Sequence, residues 1–354
     1  MIDLSMDKEI YYFDNAASSR TDQRVLAYYR EISAVDYANQ EAAHGGGYAL
    51  RKRLEAAAEK LSLALCGEKR LVIWGNSGTE LFNLLADSFL VEGKEVAASP
   101  LEHPALLANL KRTARNLQLL PCGRDGKVQI PENGFAALHH VQSELGTIQE
   151  FPQRQAVTFC DAIQSAGKLP LPRTPEIIAV SGHKFGAPGG AALLLKSDWK
   201  DAKKLQDFAH SYRHISYRCG RPDPALSLAM AKAAELAAEE RNKNLRNTII
   251  LNNLLRENFS ATIPAETASP YILHLNFPGH QSGVLVRMLS DAGFMVAAGS
   301  ACASETDDPS PAMRAIGFSK KDAFSGLRIS FGPQNTVEEA KKLQEALTRV
   351  LKNY

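Results

Sequence analysis

Lysine strongly prefers water, yet Lys184 stands in "VSGHKFGAPGG" (180–190), directly after the apolar run "EIIAV" that reads as a buried strand. An amine placed there is set to act as a nucleophile, because partial desolvation and neighbouring cations ease the loss of its proton. In "CDAIQSAGK", Asp161 follows the apolar run "AVTFC", which puts a carboxylate at the carboxyl edge of a strand, with Gln164 three residues on. "WGNSGTELFNLLADSF" reads as strand, small-residue turn and helix. The free N–H groups of Gly78 and Thr79, with the Thr79 hydroxyl, can cradle a phosphate at that helix N-terminus. "SPLEHPALL" delivers His103 at another strand end, where its imidazole can lie flat on a ring or simply cap the next helix. Alone, each has an ordinary explanation: an exposed loop cation, a helix-capping aspartate, a βα turn. Together they describe a phosphorylated aromatic aldehyde whose carbonyl bonds a lysine, whose ring nitrogen pairs with a carboxylate and whose phosphate sits on a helix end. That ligand is pyridoxal 5'-phosphate.

The elements that must hold these groups are legible as short apolar runs between helical stretches: "LVIW" (71–74), "EVAAS" (95–99), "LQLL" (117–120), "ALHHVQ" (137–142), "AVTFC" (156–160), "IIAVS" (177–181) and "AALLLK" (191–196). This alternation predicts an α/β fold with a mainly parallel, helix-covered sheet, whose ligands collect beyond the carboxyl ends of the strands. From residue 225 a stretch rich in Ala, Leu and Glu, without Gly or Pro, predicts a long helix connecting two domains. Beyond it come a strand "YILHLNF", a helix over 283–291, the run "FMVAAG", a strand "LRISF" and a last helix opened by a capping box, Thr336 with Glu339. This is a smaller α+β unit. The expected division is a large domain over 12–243 and a small one over 244–354, joined by the segment 1–11.

The 354 residues exceed a single ordinary core. With 41 Lys and Arg against 39 Asp and Glu, nothing calls for nucleic acid or an anionic membrane as partner. The N-terminus lacks a basic start followed by an apolar run, and no segment approaches ~18 uninterrupted apolar residues, so the expected location is cytoplasmic. The five cysteines, Cys66, Cys122, Cys160, Cys219 and Cys302, are scattered without CxxC spacing, which signals neither a disulfide framework nor a zinc site. Cys66, Cys122 and Cys160 read as packing residues. His210 and His214 stand four apart, but no third ligand accompanies them, so no metal site is expected.

The ordered segments "YYFDNAASS", "NSGTELFN", "LEHPAL", "SELGTIQ", "CDAIQSAGK", "SGHKFGAPGG", "GSACAS" and "LRISFG" cover nearly the whole chain. In order and spacing the chain resembles the class V pyridoxal-phosphate-dependent aminotransferase family, specifically the NifS-like cysteine desulfurases. The resemblance implies a fold-type I homodimer with a seven-stranded large domain, a small domain built from both chain ends, and active sites near the subunit interface. It implies Lys184 as the Schiff-base lysine, Asp161 as partner of the ring nitrogen, His103 as the stacking histidine and Gln164 near the phenolic oxygen. Gly78, Thr79, Ser181 and His183 match phosphate contacts, Arg328 the arginine that takes the substrate carboxylate, and Asn15 and Ala16 a motif near the substrate. Cys302, in "GSACASETDDPSPAM", lies where nothing marks a helix or strand until "AMRAIG", so its thiol is expected on a segment free to swing. A desulfurase needs such a thiol to take sulfur from L-cysteine as a persulfide, release alanine and pass the sulfur to an acceptor protein for iron–sulfur cluster or thiolated cofactor synthesis.

Three departures stand out. Ser143 replaces an asparagine that contacts the phenolic oxygen, "HSYRHISYR" (210–218) replaces a Gly-rich segment, and Arg221 stands where the family has a threonine that reaches the partner's phosphate. Cys219 falls in a segment that the family places near the cofactor, and its role stays open. The competing readings are a related lyase or transaminase, such as a selenocysteine lyase, and a diverged, weakly active desulfurase-like protein acting through protein contacts.

Overall fold

The structure, a computed structural model, describes residues 9–215, 220–299 and 308–354. Its strands are β1 (Tyr11–Tyr12), β2 (Arg70–Gly75), β3 (Glu95–Ala98), β4 (Asn116–Leu119), β5 (Phe135–His139), β6 (Val157–Asp161), β7 (Ile177–Ser181), β8 (Ala191–Lys196), β9 (Ile272–Asn276), β10 (Phe294–Met295) and β11 (Gly326–Ser330). The helices are α1 (Gln23–Val35), α2 (Gly45–Cys66), α3 (Gly78–Ala86), α4 (Pro104–Thr113), α5 (Ala202–Ile215), α6 (Pro224–Arg256), α7 (Ser282–Asp291), α8 (Pro311–Ala315) and α9 (Val337–Asn353).

Seven strands form one sheet in the order β2-β8-β7-β6-β5-β3-β4. Every neighbouring pair is parallel except those made by β8, which runs against both β2 and β7. The two-residue period of a strand sends alternate side chains to opposite faces. Leu138, Cys160, Ile178, Val180 and Leu194 pack on one face with α1, α2 and the first half of α6. Phe135, Ala137, Phe159, Ile177, Ala179 and Leu193 pack on the other with α3, α4 and α5. Both faces are covered, which is why these strands read as continuous apolar runs rather than alternating ones.

The C-terminal unit has its own core. β9 pairs antiparallel with β11, and β1 pairs in parallel with β10, Tyr11 opposite Phe294. Tyr11 and Phe13, on either side of the residue-12 boundary read from the sequence, join Leu251, Leu255, Leu273, Leu327, Phe331 and Leu343 in that core. α6 crosses between the units: Leu228, Met230 and Leu236 lie in the first core, Leu251 and Leu255 in the second. The capping box of α9 forms as expected, Thr336 Oγ1 accepting from Glu339 N at 3.2 Å and Glu339 Oε2 from Thr336 N at 3.0 Å. Among the described residues no helix is long and apolar enough to cross a membrane.

Candidate active site

Five strand ends converge at the carboxyl edge of the large sheet. β2 hands over to the turn before α3, β3 to the turn that carries His103, β5 ends at His139, β6 at Asp161 and β7 at Ser181. A cavity of about 200 Å³ lies there, lined by Gly78, Thr79, His103, Ser143, Asp161, Gln164, Ser181, His183 and Lys184, together with Phe82 and His139. Eight cofactor-contacting positions expected from the sequence thus share one cavity.

Lys184 closes a 3-10 turn, Gly182–Lys184, immediately after β7. Gly182 N donates to Gly190 O at 2.9 Å and accepts, through its carbonyl, from the N–H groups of Phe185 and Ala187, both at 3.0 Å. The loop is therefore tied at both ends. A second strap comes from the N-terminal segment: Ser19 N and Oγ both donate to His183 O at 2.9 Å, and Gly186 N donates to Ser19 Oγ at 3.0 Å. The Lys184 ammonium donates to Ala16 O at 2.7 Å and Ala17 O at 2.5 Å, and Gln164 Nε2 donates to the same Ala16 O at 2.8 Å. Ala16 thus meets Lys184 and Gln164 through its backbone.

Burial sets the proton affinities. Asp161 is 8% exposed, and desolvation raises its pKa to about 7, with the charge of Glu102 adding to the shift. Its Oδ1 accepts only from Ile163 N at 3.0 Å among the described hydrogen bonds, so a cationic ring nitrogen is the partner that would ionise it. Burial first, then the charge of Lys184, lowers the pKa of His103, leaving a neutral imidazole. Its Nδ1 accepts from Ala105 N at 3.1 Å, which leaves the ring proton on Nε2. Of the two roles read from the sequence, capping α4 is realised, and the same ring lines the cavity. His183 is pushed down to about 4 by burial and two lysines, and its Nδ1 meets Ser181 Oγ at 2.9 Å.

These groups fit pyridoxal phosphate by an independent sign. Gln164 Oε1 is buried without a hydrogen-bond partner among the described residues, an acceptor waiting for a donor. At the start of α3, Ser77 Oγ accepts from Glu80 N at 3.2 Å, and the first-turn N–H groups of Gly78 and Thr79 are those that a helix leaves without internal partners. A β-carbon at Gly78 would stand 2.7 Å from Ile163 Cδ1, so a side chain there would first have to displace the end of Ile163.

Other expected positions lie elsewhere. Arg328, 2% exposed, donates from Nη2 to Asp14 Oδ1 at 2.8 Å and from Nη1 to Ser143 O at 2.9 Å, while its Nε has no partner among the described residues. A substrate carboxylate would have to exchange with Asp14. Asn15 is buried and fully engaged: Nδ2 donates to Ser330 O at 2.9 Å, and Oδ1 accepts from Gln334 Nε2 at 2.9 Å. Arg221 is exposed and outside the cavity of its own chain, two residues before the N-cap of α6. Cys302 and Cys219 lie outside the described residues. Cys66 and Cys160 pack in the core, Cys122 against it, and burial pushes the thiols of Cys66 and Cys122 up to about 11.

Two groups went unread in the sequence. Glu102 and His139 form a buried pair beside Asp161: Glu102 Oε1 accepts from His139 N at 2.9 Å and lies 2.7 Å from His139 Nδ1. The polar pair "HH" ending an apolar run was the available signal. Among the described residues no cluster of three or more His, Cys, Asp or Glu could hold a metal ion.

The class that fold and cleft define is an α/β protein whose ligand site opens at the carboxyl edge of a mostly parallel sheet. Within it, the chain belongs to the aminotransferase class-V family, whose model matches residues 11–343. It is similar to the cysteine desulfurase IscS of Anaeromyxobacter dehalogenans, 26% identical over 361 residues, covering 93% of this chain and 89% of that protein. It is also 26% identical over 387 residues to the cysteine desulfurase IscS of Clostridium botulinum, covering 98% and 95% of the two chains. A solved structure of a NifS-like protein superposes with a TM-score of 0.82 at 22% identity, over 98% of this chain and 100% of that one, a likeness of fold.

Proposed function

We propose that the protein is a pyridoxal-phosphate-dependent cysteine desulfurase, converting L-cysteine to L-alanine and holding the sulfur as a persulfide on Cys302. The observation that carries this reading is the single cavity in which Lys184, Asp161, His103, Gln164 and the start of α3 face one another. Lys184 would bond the cofactor's carbonyl, Asp161 would pair with the protonated ring nitrogen, Gln164 Oε1 would accept from the phenolic O–H, and the N–H groups of Gly78 and Thr79, with Ser181 and His183, would hold the phosphate. When bound, pyridoxal phosphate supplies an electron sink that loosens bonds at the amino acid's α- and β-carbons.

The residues do the rest. His103 carries a proton at Nε2 over the cavity, available to the leaving sulfur or the substrate nitrogen. Arg328 receives the substrate carboxylate by a two-pronged hydrogen bond once Asp14 yields, and Asn15 and Ala16 hold the segment that positions it. The Cys302 thiolate takes the substrate sulfur; the carbon–sulfur bond breaks, a sulfur–sulfur bond forms, and protons return to carbon, so cysteine plus thiol becomes alanine plus persulfide. A homodimer, with Arg221 reaching the partner's phosphate, and a protein that accepts the sulfur for iron–sulfur cluster or thiolated cofactor synthesis complete the proposal.

The test is product formation. Wild type incubated with L-cysteine and a reductant should release sulfide and alanine in equal amounts, while Cys302→Ala loses both and keeps its cofactor absorbance. A variant that keeps full activity on cysteine would exclude Cys302 as the carrier and favour a lyase route without an enzyme persulfide.

A further inference from the structure

A second cavity, of about 300 Å³, also reaches Lys184 and is lined by Lys168, Phe185, Leu236, Tyr271 and Phe331. Lys168 is 9% exposed, and among the described residues its ammonium has no hydrogen bond and no ion pair. The left-handed turn at Gly167 (φ 73°) delivers it there: a β-carbon at that glycine would stand 2.8 Å from Phe185 Cβ. The charges that act on Lys168 are the cations Lys184 and Arg328, with no carboxylate offsetting them. The two acids that line the cavity, Asp22 and Glu240, are both paired with Arg24, each at 2.7 Å, and Asp14 is held by Arg328. Burial lowers the Lys168 pKa to about 7, the response of an amine that lacks a counter-ion. An amine in these surroundings is stabilised by a nearby anion, and the acids around it are already paired with arginines.

We propose that this cavity is a second anion site, in which Lys168 takes the carboxylate of a small monocarboxylate whose apolar body lies against Phe331 and Leu236. Arg20 and Lys184 line the same cavity, so its cationic side favours a carboxylate, and the apolar wall favours an organic body over an inorganic ion. The site is distinct from Arg328, which does not line this cavity. It stands on Lys168 and the cavity alone, so its failure would leave the role of Lys184 untouched.

The test uses the full-length protein, with pyridoxal phosphate added to saturation, titrated calorimetrically at neutral pH with butyrate, which has no amine to react with the cofactor, and with 1-butanol. Butyrate should bind at least about tenfold more tightly than butanol, with net proton uptake seen as a dependence on buffer ionisation enthalpy. Lys168→Met should lose that preference while its melting temperature and cofactor absorbance stay close to wild type. The proposal is overturned if wild type shows no preference for butyrate over butanol, if Lys168→Met binds butyrate as wild type does, or if Arg328→Met alone abolishes binding. The wild-type comparison decides even if Lys168→Met does not fold.

Discussion

At the scale of single residues, burial turns Asp161 into a group whose proton is tied to folding. Its pKa is about 7 in the folded protein against 3.8 for an unperturbed aspartate. Between those values the folded chain keeps a proton that the unfolded chain releases, so this residue's contribution is fully present below the lower value and is lost as pH rises through the upper one. In cofactor-free protein, the urea-unfolding free energy of Asp161→Asn relative to wild type should therefore shift in the variant's favour by more than about 1 kcal/mol between pH ~5 and pH ~7.5. A difference that stays flat with pH would mean that burial leaves the carboxyl unperturbed. Lys184 and Asp161 were legible because each follows an apolar run, and a polar group there has to face a cleft. Glu102 and His139 were not, since their contact joins two strand ends 37 residues apart. Lys168 was hidden for a different reason: only the left-handed turn at Gly167 sends it inward, and the letters "AGK" do not disclose that direction.

At the scale of elements, all seven runs read as strands became strands of the large sheet, with ends shifted by a few residues at most. That success follows from burial on both faces, which leaves little room for polar residues within a strand and marks its ends by where they resume. Strand order was beyond reach, because nothing local distinguishes β8 beside β2 from β8 beside β4. The reversed direction of β8 was in principle available: the nine residues from 182 to 190 are too few for a parallel crossover, and the tied turn around Lys184 uses them all. The sheet is a rigid platform only while its centre is filled. Phe159, fully buried on β6 and in edge-on contact with Phe82, is among the largest fully buried side chains on that face of the sheet. Phe159→Ala should cost about 3–5 kcal/mol in denaturant unfolding, and a loss under about 1 kcal/mol would contradict a close-packed platform.

At the scale of the whole molecule, the N-terminal segment is what unites the two units around the lysine. Tyr11 and Phe13 belong to the C-terminal core, Asn15 and Ala16 are bonded to Ser330 on β11, and Ser19 straps the loop of Lys184. The same segment offers the carbonyls of Ala16 and Ala17 to the Lys184 amine. A lysine held there, with a buried acid, a neutral imidazole and a helix N-terminus around it, has the surroundings of an amine that bonds a carbonyl rather than of a surface cation. The most direct measurement is borohydride reduction of protein saturated with pyridoxal phosphate, followed by peptide mapping. A stable pyridoxyl label on the tryptic peptide that contains Lys184, absent in Lys184→Ala, is the predicted result; a label distributed over surface lysines, or none on that peptide, would contradict the account.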